Sequence, residues 1–79
     1  MSIPPESIEV GRCYLTTVGG HHRVQRVVSI TPSGHVVFEV RRKLHDHAVW
    51  MPDERSLRMF AAAVEREVPC DWIPEADGS

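Results

Sequence analysis

Seventy-nine residues, 42% of them apolar and with a formal net charge of −2, make one small domain rather than two or a disordered chain. A core of that size leaves little room for a deep, water-excluding active site, so we expect no enzyme. No run of about 18 apolar residues is present and the first residues lack a signal peptide's basic start and apolar stretch, so we expect a cytoplasmic chain without membrane association.

Residues 1–10 read as an extended lead-in, because Pro4 and Pro5 disfavour regular helix while Ile8 and Val10 offer alternate apolar contacts. Residues 11–68 form the domain proper. Its first strand is expected over Arg12–Thr17, and Gly19-Gly20 supplies the backbone freedom of a hairpin turn. The second, Val24–Ile30, would point Arg26 into the core if it alternated strictly. A bulge at Gln25–Arg26 would instead bury Val24 and Val27, and would bend the strand as a small barrel requires. The third, His35–Arg41, alternates cleanly, with Val36, Phe38 and Val40 inward and Glu39 and Arg41 outward.

Arg42–His47 reads as a polar loop, followed by a fourth strand at Ala48–Met51 that Pro52 stops. Asp53 or Ser56 can cap a helix whose face carries Leu57, Phe60, Val64 and Val68. Glu65 and Glu67 oppose the dipole at that helix's end, so a closing strand over residues 64–68 is the alternative. Residues 69–79 are a tail, anchored by Trp72 and Ile73. Cys13 and Cys70 are expected as free, half-buried thiols; their meeting would require the tail to fold back on the first strand.

This order of elements resembles the SH3-like small β-barrels of the Tudor, KOW and bacterial SH3 type. More narrowly it is similar to a bacterial small-domain family of unknown function. The matching residues are Gly11, Tyr14, Gly19, the run Val24–Val28, Trp50-Met51-Pro52 and Met59-Phe60. Met51 stands where that family's pattern has arginine. The resemblance implies a mainly β fold, an SH3-like antiparallel barrel of four to five strands with a short C-terminal helix. It implies no particular function.

Five histidines raise the question of metal, but neither His45-Asp46-His47 nor His21-His22 has a recognised ligand spacing, so no metal or cofactor is expected, and a site joining His45 and His47 to Cys13 or Cys70 is the distant alternative. No thiol or serine sits in a nucleophile's sequence context. Binding surfaces remain. Residues 11–47 carry a balance of +4 and residues 48–79 one of −4. We therefore expect a non-catalytic interaction module for a protein or peptide, with Tyr14 and Trp50 as apolar anchors and Arg41 as polar orienter. The alternative is a nucleic-acid face built from Arg23, Arg26, Arg41, Arg42 and Lys43, against which the net negative charge speaks. The expected state is a monomer or a weak homodimer paired through strand edges.

Overall fold

The apolar runs of the first half pair as successive antiparallel strands, and the chain then returns to the first of them. In the computed structural model, residues 3–18, 21–44 and 47–73 are described, with only the backbone of Val18, Lys43 and Leu44. The strands are β1 (Cys13–Val18), β2 (His21–Ile30), β3 (His35–Leu44), β4 (His47–Ser56) and β5 (Val64–Val68), with helix α1 (Leu57–Ala63) between the last two. Their order across the sheet is β4-β3-β2-β1-β5, all antiparallel. The two outer strands, β4 and β5, do not pair, so the hydrogen-bonded sheet is open. The fold is mainly β, with five strands and one short helix.

Turn chemistry sets this path. Gly34 takes a φ of +87°, which an L side chain rarely adopts, and donates its N–H to the Thr31 carbonyl at 3.0 Å. Thr31 in turn donates its N–H to the His35 carbonyl at 2.8 Å, closing the β2–β3 turn. The expected Gly19-Gly20 turn lies outside the described residues. A short 3-10 turn, Pro5–Ser7, begins on proline, whose missing N–H costs nothing there, and delivers Ile8 to the core.

Val24 and Val27 are both buried, at 2% and 1% exposure, but for a different reason from the one expected. The sheet is covered on both faces. Val27 joins Tyr14, Val36, Phe38 and Val40 beneath α1, whereas Val24 joins Cys13, Leu15 and Val68 in a second cluster on the opposite face. Strict alternation from Val24 to Val27 thus serves two cores. The bulge of β2 falls later, between Val27 and Ser29, and leaves Val28 exposed.

Three further expectations need correction. β3 continues through Leu44 and β4 starts at His47, so the polar segment expected as a loop is mostly paired strand. Pro52 does not stop β4, because β4 is the outermost strand, where a missing N–H is tolerated. The helix ends at Ala63, and residues 64–68 form β5 against β1. Val64 and Val68 would share one face of a helix; here a register shift in the β1–β5 ladder places Val64 in the core under α1 and Val68 in the opposite cluster. Ser56 is the cap, accepting the Met59 N–H at 3.3 Å, while Asp53 lies within β4.

Phe60 seals the helix-bearing face. Its ring meets Tyr14 edge-on at 6.1 Å and Phe38 at 4.9 Å between centroids. On the opposite face the tail folds back and Cys13 and Cys70 form a disulfide, with Cα atoms 5.2 Å apart, which corrects the expectation of free thiols. No helix is long and apolar enough to cross a membrane among the described residues.

Candidate functional site

The side chains expected to form one binding rim lie on opposite sides of the sheet. Tyr14 is in the core, 1% exposed. Its hydroxyl accepts the Glu9 N–H at 2.9 Å and faces the Ser7 carbonyl at 3.3 Å, and burial pushes its pKa up. It offers no surface to a partner. Trp50 is half-buried on the other face, where the Arg26 guanidinium stacks 4.3 Å from its ring centroid. Arg26 also donates to Glu39 Oε1 through Nε at 3.1 Å and Nη2 at 2.6 Å. Arg41 holds the tail: Nη1 donates to the Cys70 carbonyl at 2.8 Å and Nη2 to that of Trp72. It thereby clamps its own chain, and it also lines a depression on the tail-bearing face.

The expected basic stripe divides the same way. Glu39 and Arg41 alternate with Val40 along β3, so Arg26 and Arg41 belong to the tail-bearing face. Arg42, two residues beyond Val40, returns to the helix-bearing face, as does Arg23, two residues before Gln25, the partner of Val40. Lys43 lies opposite Ala48 in the β3–β4 ladder, and its side chain is outside the described atoms. One continuous cationic face therefore does not form.

A smaller surface does. The β3–β4 ribbon is ten residues long in each strand, while α1 has only seven and covers the end of the sheet around Val36 and Phe38. The far end of the helix-bearing face is left open as a shallow depression of about 540 Å³. Arg23 and Arg42 line it with Val49, Met51 and Asp53, and Val40 is its buried apolar floor. Met51 is 47% exposed. No salt bridge engages Arg23 or Arg42 among the described residues. Of the other arginines, Arg12 pairs with Glu9 and Glu67, each at 2.7 Å, and Arg26 with Glu39, whereas Arg55 and Arg58 likewise have no salt bridge among the described residues. Two guanidinium forks without a salt bridge among the described residues, beside a soft apolar residue, suit a carboxylate-bearing chain with apolar side chains.

Sequence reasoning missed this shelf because it ended the third strand at Arg41. Carrying the alternation one residue further would have placed Arg42 with Val36, Phe38 and Val40, away from Arg41.

A second depression, about 400 Å³, lies on the tail-bearing face between Trp50, Ala48, Arg41, Cys70 and Ile73. Among the histidines, His22 approaches Glu65 at 3.5 Å and His35 approaches Glu54 at 3.4 Å. His45 and Asp46 lie outside the described residues, and among those described no three of His, Cys, Asp and Glu gather as a metal site would need. Comparison with known proteins finds no matching family model, no matching curated protein and no matching solved structure.

Proposed function

We propose that this chain is a non-catalytic protein-recognition module that takes an acidic, apolar-bearing segment of a partner protein on the Arg23–Arg42 shelf. The observation that carries the reading is the contrast among the arginines. Those at positions 12, 26 and 41 are engaged by groups of their own chain, whereas Arg23 and Arg42, which like Arg55 and Arg58 have no salt bridge among the described residues, line the open depression. A guanidinium can grip a carboxylate with two parallel hydrogen bonds, and Met51 and Val49 supply adaptable apolar area between the forks. The nucleic-acid alternative counted on five cations along one face; the division between faces leaves too few to track a phosphate backbone.

The strand order β5-β1-β2-β3-β4, the bulged β2 and the helical turn before β5 support grouping the domain with the SH3-like small barrels. The disulfide supports an oxidising compartment over the cytoplasm expected from the cysteine count.

The test is fluorescence anisotropy with a labelled peptide of glutamates flanking leucine and phenylalanine. Binding should weaken with salt and fall roughly tenfold or more in Arg23→Glu plus Arg42→Glu, since each exposed ion pair is worth up to about 1 kcal/mol and reversal adds repulsion. Equal affinity in that double variant removes the shelf from the reading. Tighter binding of an oligonucleotide than of the peptide overturns it in favour of nucleic acid.

A further inference from the structure

The tail-bearing face has a feature that recognition on the arginine shelf does not use: its cover is a strap fastened by one covalent bond. We propose that the Cys13–Cys70 disulfide is a redox latch, which a dithiol reductant opens to release the tail and bare the Leu15, Val24 and Trp50 face of the sheet.

The two sulfurs sit in unlike surroundings. Cys13 is 1% exposed in β1, held between β2 and β5. Cys70 is half-exposed, lies after Pro69 outside the sheet, and lines the open depression beside Arg41 and Trp50. A reductant's thiolate can therefore reach the Cys70 sulfur and not that of Cys13. Attack there forms a mixed disulfide with Cys70 and expels Cys13 as the thiolate. The reductant's second thiolate then displaces Cys70, so the reductant leaves as its own disulfide and both protein cysteines are reduced by its two electrons.

What remains to hold the strap is non-covalent. Arg41 donates to the Cys70 and Trp72 carbonyls, Trp72 packs on the second cluster with Arg66 over its ring at 5.9 Å and the His22 ring at 6.1 Å, and its N–H closes a turn onto the Pro69 carbonyl at 3.0 Å. Against these, the Trp72 indole nitrogen is buried with no hydrogen-bond partner among the described residues. It would regain a water partner on opening, so closure carries a desolvation cost that the covalent bond offsets. The sheet does not depend on the strap for its main core. Tyr14, Phe38, Phe60 and Val64 pack on the other side, and none of the tail residues is part of that cluster.

The experiment is a two-dimensional amide NMR spectrum of the full chain before and after a dithiol, with an apolar dye as second readout. Reduction should move the amides of residues 70–73 and the Trp72 indole to random-coil positions, leave Phe38 and Phe60 dispersed, and raise dye fluorescence severalfold. Reoxidation should restore all three. Cys70→Ser should reproduce the reduced spectrum without reductant, and Arg41→Gln in the oxidised protein should be reduced severalfold faster. A reduced chain whose tail stays docked overturns the latch. A reduced chain that loses all dispersion overturns it too, making the disulfide a staple of the whole fold.

Discussion

Replacing Phe60 by alanine tests how much of the fold rests on α1. Phe60 is 1% exposed, and its ring is wedged between Tyr14 at 6.1 Å and Phe38 at 4.9 Å. Removing a fully buried phenylalanine costs about 3–5 kcal/mol through lost transfer energy and the residual cavity. Two aromatic contacts put the expectation near the upper half, about 4 kcal/mol. An unfolding entropy of roughly 2.1 cal/mol/K per residue, taken over 79 residues, gives about 0.17 kcal/mol/K, so the melting temperature should fall by roughly 20–25 °C. Urea unfolding followed by circular dichroism supplies the free energy, and an unchanged slope would show that the same surface is exposed. Met59→Ala, on the same helix but 62% exposed, is the control and should stay within about 0.5 kcal/mol. A loss below about 1 kcal/mol at Phe60 would refute the argument that this ring closes the core.

Three other perturbations address separate parts of the structure. Ser56→Ala removes the side chain that caps α1 and should cost about 1 kcal/mol in the same urea assay; no change would show that the Met59 N–H is satisfied by water. Gly34→Ala meets no steric obstacle but forces a side chain to φ +87°, so it should cost about 1 kcal/mol. A neutral result there would mean that the turn relaxes to another geometry. Tyr14 is the sole tyrosine, so its phenolate absorbance can be titrated cleanly. Burial raises its pKa, meaning the folded state holds the proton more tightly than the unfolded one. That contribution to stability is whole below the unfolded value of about 10 and drains away as pH rises through the raised one. A midpoint at or below 10 in the folded protein would contradict the buried, hydrogen-bonded placement.

The elements were legible where one physical rule acted alone. Val36, Phe38 and Val40 recur every second residue, and they bury as period two requires. The glycine at position 34 marked its turn, and Leu57 with Phe60 marked the helix. Reading failed where a second constraint intervened. Burying Val24 and Val27 together requires a bulge only if the sheet has a single core; a sheet buried on both faces needs none there. Val64 and Val68 fit helical spacing as well as they fit a strand with a register shift, and pairing with β1 decided between them. Proline at position 52 ends a strand in general, yet on an outermost strand it does not. The disulfide was illegible because residues 57 apart in sequence meet only through the course of the whole chain. The candidate site suffered most, since outward-pointing arginines on a two-faced sheet divide by parity, and an error of one residue at the strand end moved Arg42 to the wrong side.

The two faces are thus unequal: one is filled by Phe60 at one end and open at the arginine shelf, the other is strapped by the tail. Amide chemical-shift mapping during titration with the glutamate–leucine–phenylalanine peptide probes this most directly. Shifts should cluster at Arg23, Arg42, Val49 and Met51 while the Trp50 indole stays in place. Shifts centred on Trp50 and Arg26, or none at any concentration that the peptide's solubility permits, would contradict the assignment.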